Sequence, residues 1–186
     1  MPPLMIRLQL IVCWFAWFYP FAFRAPLHQK RASITVSGPT LAGLFFEILG
    51  IALAFRLRLP ADSPAGVARI AASWIFALLA VAIAWTSVTH LGRQFRIRAG
   101  LYTDHQLVRT GPYAIVRHPI YASLLLMLLC TLLASTPWQW MPLALAAFVL
   151  GTEIRVRTED RLLASRFGGQ FREYQRRVPA YIPLVR

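Results

Sequence analysis

The chain has 186 residues, 58% of them hydrophobic and only 15% charged, with a formal net charge of +13 and a mean hydropathy of +0.54. That composition is too apolar for a water-facing globule of this size, so the bilayer is the expected solvent. The arginines stand in short clusters between long apolar runs rather than along one polar face, which excludes nucleic acid as the expected partner and favours anionic lipid headgroups.

Five stretches approach the roughly 20 apolar residues that a hydrocarbon core of about 30 Å requires. They run from Leu8 to Phe23, Leu41 to Phe55, Ile70 to Leu91, Ile120 to Ser135 and Trp138 to Ile154. The second, fourth and fifth are short and call for tilt or local thinning of the bilayer. The first reads as an uncleaved span rather than a signal peptide. Arg7 is its only leading charge, it is rich in Trp and Phe, and Arg24-Ala25-Pro26 stands where a small-residue cleavage site would be. The expected architecture is an all-α polytopic membrane protein of about five transmembrane helices. It forms one membrane domain over 1–186, with three spans in 1–92 and two spans plus C-terminal helices in 93–186. Cys13 and Cys130 both fall inside apolar runs, so no disulfide framework or CxxC metal site is expected.

Loop charge sets the expected orientation. Arg93, Arg96, Arg98, Arg109 and Arg117 follow the third span, and Arg155, Arg157, Arg161, Arg166, Arg172, Arg176, Arg177 and Arg186 follow the fifth, so both segments belong on the cytoplasmic side. The turn Ser135 to Trp140 carries two tryptophans and no charge, and faces outward. Arg24, Lys30 and Arg31 then lie inside, whereas Arg56, Arg58 and Arg69 lie outside, against the rule.

Polar chemistry concentrates in two clusters. In Asp104 to Tyr121 a Gly111-Pro112 turn precedes a helix entered through Arg117-His118-Pro119. Proline suits the first helical turn, and the free backbone donors of such a start attract a carboxylate or another polar ligand. Headgroup anchoring accounts for the same residues equally well. The second cluster is Glu153 to Leu163, where Arg155 and Glu159 stand four apart on one helical face, placed to pair or to line one pocket. Phe167-Gly168-Gly169 then marks a helix end before a short amphipathic helix, with Tyr174, Pro179 and Tyr181 placed to fold back over the site. Taken alone, this second cluster reads as a solvated basic tail on lipid.

Together the two clusters resemble the isoprenylcysteine carboxyl methyltransferase family, which includes related phospholipid methyltransferases. The resemblance rests on His105-Gln106-Leu107-Val108, Thr110-Gly111-Pro112-Tyr113, Arg117-His118-Pro119-Ile120-Tyr121, Arg155 with Glu159-Asp160, Phe167-Gly168, Tyr174 and Arg177-Val178-Pro179. It covers a little under half the chain, from about His105 onward. Asp160 departs from the family's usual glutamate there. The resemblance implies a cytoplasmic S-adenosylmethionine site open sideways to lipid. His105, Gln106, Leu107, Val108, Tyr113, His118, Pro119, Ile120, Tyr121 and Glu159 would hold the cofactor, Arg155 would bind substrate, and Arg155 and Glu159 would act in catalysis. No GxGxG loop is present for a soluble dinucleotide-type site. The implied acceptor is lipophilic, a prenylated-cysteine-type carboxylate first and a phospholipid amine second. An amine would have to lose a proton, with His118 or Glu159 as base. Two other readings are an NADPH-dependent membrane reductase of the sterol-reductase type and a non-enzymatic lipid-binding scaffold. Glu47, inside the second span, calls for a buried partner, an arginine from another span that the sequence does not identify.

Overall fold

The computed structural model describes residues 3–23, 38–60, 65–92 and 107–183. Arg24, Lys30, Arg31, Arg93, Arg96, Arg98, His105, Gln106 and Arg186, all named above, lie outside the described residues. Within them the regular elements are helical: α1 (Pro3–Phe23), α2 (Gly38–Arg56), α3 (Val67–Leu91), α4 (Pro119–Ser135), α5 (Met141–Phe167) and α6 (Gly169–Arg177), with single 3₁₀ turns at Gly111–Ala114 and Trp138–Trp140.

Length and composition make α1, α2 and α3 each able to cross a membrane, while α4 is a shorter apolar helix of 17 residues. The fifth expected stretch differs more. Its first residues, Trp138 to Trp140, form a 3₁₀ turn after Pro137, and α5 begins only at Met141 with Pro142 in its first turn. A proline there loses no hydrogen bond and restarts the helix. The helix then runs past the apolar stretch into Glu153, Arg155, Arg157, Glu159 and Asp160 as one rod of 27 residues. Gly168 ends it at φ +53°, a conformation glycine adopts without strain, and its N–H bonds the Ala164 carbonyl as α6 begins.

The helices pack through small residues. On α3 Ser73, Ala77, Ala80, Ala84 and Ser87 form a buried stripe, in which Ala77, Ala80 and Ala84 form one core with Met127, Cys130 and Ala134 of α4. Helix α1 is pinned to that pair by polar bonds. The indoles of Trp14 and Trp17 donate to Thr131 and Ser123 on α4, each at 3.1 Å, and the Gln9 amide donates to Ser73 at 2.6 Å. Such bonds and close backbone approach replace the hydrophobic drive that lipid removes. Outward, Leu4, Leu8, Ile11, Phe15, Phe45, Ile48, Ile75 and Leu78 remain exposed, as the lipid-facing side of a span requires.

Helix α2 meets α5 most closely. A Cβ at Gly50 would lie 2.6 Å from the Ala144 carbonyl oxygen, and one at Gly151 would lie 2.6 Å from the Glu47 nitrogen. The glycines let the two backbones touch and so bring Glu47 against α5.

Two of the three arginines expected on the outer side, Arg58 and Arg69, are engaged by the fold. Arg69 donates to the carbonyls of Leu133 (3.0 Å), Leu132 (3.1 Å) and Thr136 (2.6 Å) at the end of α4, and its guanidinium lies 4.6 Å from the centre of the Trp138 ring. Arg58 bonds the Phe55 carbonyl near the end of α2. These cations satisfy orphan helix-end carbonyls, a role that loop counting does not see.

Replacing Gly151 by valine should therefore lower stability by about 1–3 kcal/mol, the range for overpacking, and show as a clear drop in melting temperature in detergent. Gly66→Ala, where nothing lies within 4 Å of the added carbon, should leave that temperature unchanged. Equal behaviour of the two variants would show that α2 and α5 do not pack through their glycines.

Candidate active site

The site grows from the junction of α4 with the C-terminal half of α5. Pro119 opens α4 and is buried, with His118 as the residue before the helix. The two backbone donors that precede this start are taken by the chain itself. The N–H of Arg117 bonds the Pro179 carbonyl at 2.9 Å, and that of His118 bonds the Ala180 carbonyl at 2.8 Å. The chain's own C-terminal segment thus lies against the residues that lead into this helix start. Tyr174, Pro179 and Tyr181 do fold back as the sequence suggests: the Tyr174 hydroxyl donates to the Tyr113 carbonyl at 2.5 Å and the Tyr181 hydroxyl to Glu153 at 2.8 Å. Arg117 fastens this strap by donating to the Val178 carbonyl.

Below the strap, six charged side chains alternate in sign. Arg117 Nη2 donates to Asp160 Oδ2 at 2.9 Å, and the other oxygen, Oδ1, lies 2.8 Å from His118 Nε2. His118 Nδ1 stands 3.4 Å from Glu159 Oε2, and the Tyr121 hydroxyl donates to Glu159 Oε1. The Arg155 guanidinium lies 4.9 Å from the centre of the Tyr121 ring, a cation–π contact, and bonds Glu47 Oε2 at 2.6 Å. The Thr152 hydroxyl donates to the other oxygen of Glu47 at 3.1 Å.

Arg155 and Glu159 share a face of α5, but they form no direct ion pair; they meet on either side of Tyr121. Glu47 now has its partner, Arg155, with Thr152 beside it. Asp160, whose departure from the family pattern left its role open, holds both Arg117 and His118. An acid inside an apolar run signals pairing with an arginine from another span, but sequence could not say which, because the partner Arg155 lies 108 residues away.

The electrostatics follow from this chain. Burial alone would pull the His118 pKa down, but the hydrogen bonds and charges of Asp160 and Glu159 outweigh it and raise the value to about 9. Burial pushes Glu159 up, yet the His118 hydrogen bond and charge and the Tyr121 hydroxyl bring it below the ordinary carboxylate value. Asp160 is lowered likewise, against its burial, by His118 and Arg117. With His118 protonated, three cations and three carboxylates balance.

The cofactor-side residues are partly assembled. Leu107 and Val108, both half-buried, lead into the 3₁₀ turn, whose Tyr113 is buried with a hydroxyl that bonds nothing. At the turn, Gly111 has φ +59°, and a Cβ there would strike the His90 imidazole at the end of α3. Ile120 is half-buried next to Pro119, and the Glu159 side chain remains 27% exposed, so it is reachable from outside.

A model of the isoprenylcysteine carboxyl methyltransferase family matches residues 73–165, half of the chain. The chain is 45% identical over 83 residues to a cobalt-zinc-cadmium resistance protein of Cupriavidus metallidurans, a match covering 44% of this chain and 38% of that protein. It is 35% identical over 83 residues to a protein-S-isoprenylcysteine O-methyltransferase of Schizosaccharomyces pombe, covering 44% and 35% of the two. It is 31% identical over 121 residues to protein-S-isoprenylcysteine O-methyltransferase B of Arabidopsis thaliana, covering 64% and 58%. The matches thus span well under two thirds of each relative's length.

The His118 cluster makes stability depend on pH with a definite sign. The folded pKa of about 9 exceeds the ordinary 6.5, so the stabilisation is complete below about pH 6.5 and is lost as pH rises through about 9. The melting temperature of the wild type should fall across that window, and His118→Gln should flatten the fall. A wild-type melting temperature that is level from pH 6.5 to 9.5 would contradict a protonated His118.

Proposed function

The chain belongs to the isoprenylcysteine carboxyl methyltransferase family, and from that premise we propose that it is an S-adenosylmethionine-dependent O-methyltransferase acting on the carboxylate of a lipophilic, prenylated-cysteine-type acceptor. The observation that carries this reading is the junction of Arg155, Tyr121 and Glu159. There a guanidinium lies over the face of one aromatic ring and a partly exposed carboxylate accepts from the hydroxyl of the same ring, at the end of an apolar helix pack. Such a junction suits one anionic and one cationic reactant.

The residues present fit the cofactor. The orphaned Tyr113 hydroxyl lacks a partner that a bound polar group would supply, Leu107 and Val108 offer apolar cover, and Glu159 offers a carboxylate for an ammonium. His118, Pro119, Ile120 and Tyr121 form the adjoining wall, and His105 and Gln106 complete the proposed set. When bound, the cofactor supplies a methyl group on a sulfonium. Arg155 orients the acceptor carboxylate, and the surrounding apolar helices keep water away, so opposite charges are brought together in a dry, aligned pocket. A carboxylate is ionised at neutral pH and needs no base.

That last point separates the two acceptors. An amine has to shed a proton, but His118 is bonded to carboxylates through both ring nitrogens and stays protonated to about pH 9. It has no lone pair with which to serve as base. The carboxylate reading asks nothing of it beyond holding Glu159 and Asp160 in place.

The three long apolar helices make the chain an integral membrane protein. We place five crossings in it, with α4 and the apolar part of α5 as the short ones. The arginine-rich end of α5 and α6, and with it the site, lies on the cytoplasmic side beside anionic headgroups. Arg157, Arg161, Arg172, Arg176 and Arg177 are all exposed there.

Adenosylmethionine or adenosylhomocysteine should raise the melting temperature of the purified protein, as binding to the folded state requires, and NADPH should not. Glu159→Gln should weaken adenosylhomocysteine binding by about 1.5–3 kcal/mol, the worth of a charge-assisted contact. Stabilisation by NADPH alone would hand the protein to the reductase class. No shift with any of the three would favour the lipid-binding scaffold.

Arg155→Ala should nearly abolish methyl transfer while leaving adenosylhomocysteine affinity within a few-fold. Arg155→Lys should restore only part of the activity, because the ammonium lacks the planar fork. Full activity in Arg155→Ala would remove this residue from the reaction.

A further inference from the structure

A free guanidinium beside the acceptor carboxylate would be a poor catalyst. As the acceptor's oxygen lone pair forms the new O–C bond, the electron pair of the breaking S–C bond returns to sulfur, and sulfonium and carboxylate become thioether and neutral ester. No proton moves. The acceptor's negative charge is therefore greatest in the ground state and shrinks toward the transition state. A full cation against it holds the starting state more tightly than the transition state, which raises the barrier.

Arg155 is not free. Its Nη1 bonds Glu47 Oε2 at 2.6 Å, and the Glu47 side chain is 2% exposed. Glu47 comes from α2, outside the 73–165 segment that the family model matches. Its other oxygen is fixed by Thr152, and the glycines at 43, 50 and 151 let α2 approach closely enough for this pairing. The groups facing it from the packed helices are Arg155, Thr152 and, farther along α5, Glu159, with Tyr121 of α4 lying against Arg155. Arg155 keeps 16% of its side chain exposed, so the guanidinium is anchored on one side and reachable on another.

We propose that Glu47 is a positioning residue whose carboxylate tempers Arg155: it cancels most of the guanidinium's charge while fixing its orientation, so that the clamp aligns the acceptor carboxylate without trapping it. This rests on Arg155 being the acceptor's clamp. It gives an acid buried in a membrane helix a function in the reaction, where its burial would otherwise only cost stability. The expected signature is unusual. Neutralising Glu47 strengthens acceptor binding and slows transfer, whereas simple structural damage weakens binding and slows transfer together.

The test uses the full chain in lipid nanodiscs: binding of an S-prenylated N-acetylcysteine and of its methyl ester is measured with adenosylhomocysteine saturating, and single-turnover methyl transfer is measured separately with adenosylmethionine in its place. Glu47→Gln should bind the acid at least tenfold more tightly than wild type, bind the ester equally, and show a single-turnover methyl transfer at least tenfold slower. Thr152→Val, which frees one oxygen of Glu47 at nearly constant volume, should shift acid affinity the same way by two- to threefold. Thr152→Val keeps the question decidable if Glu47→Gln does not fold. Weaker binding of acid and ester alike, or unchanged acid affinity in both variants, would overturn the inference. Arg155→Ala separates it from its premise. If that variant still prefers acid over ester, the clamp itself is wrong; if it loses the preference while the Glu47 and Thr152 variants bind acid as wild type does, only the role of Glu47 fails.

Discussion

An ionised group inside a helix pack is tolerable only with an opposite charge against it, and this constraint organises the charged end of the helix pack. Glu47 requires Arg155, and Arg155 lies against the Tyr121 ring. Tyr121 donates to Glu159, Glu159 faces His118, and His118 and Arg117 share Asp160. Loss of Arg155 leaves Glu47 buried with no opposite charge, whereas Asp160 and His118 each have two charged partners. The row of charges also joins α2, α4, α5 and the C-terminal strap, which no apolar cluster does alone.

The fold supplies what this row of charges needs. Glycines and alanines bring the backbones close, which places a short acidic side chain of α2 within reach of α5. The length of α5 matters as much: one rod carries Thr152 and Arg155 near the apolar pack and Glu159 and Asp160 a turn farther out. The strap of 178–181 closes the start of α4 and excludes water from His118, which is why neighbouring carboxylates have so strong an effect on it.

Local signals in the sequence were readable and correct. Pro119 opens a helix, Gly168 ends one, and Gly111-Pro112 makes a turn, because each is a backbone preference that needs no partner. The apolar stretches marked helices for the same reason, although Pro137 and Pro142 moved the start of the fifth from Trp138 to Met141. What the sequence could not show was pairing at a distance. The C-terminal strap is one case: the N–H groups of Arg117 and His118 bond the carbonyls of Pro179 and Ala180, some 60 residues on. Arg155 looked available for the same reason, its partner being in another span. Arg69 looked like a breach of the charge rule, yet it caps the carbonyl end of α4.

The central claim is that this site carries a methyl group to a carboxylate. Its most direct measurement is transfer of labelled methyl from adenosylmethionine to an S-prenylated N-acetylcysteine by the purified protein in lipid, followed by mild base. The account predicts that the label enters the acceptor and is released by base as volatile methanol, as an ester's methyl must be. Label that resists base, or that appears only on an added phospholipid amine, would contradict it.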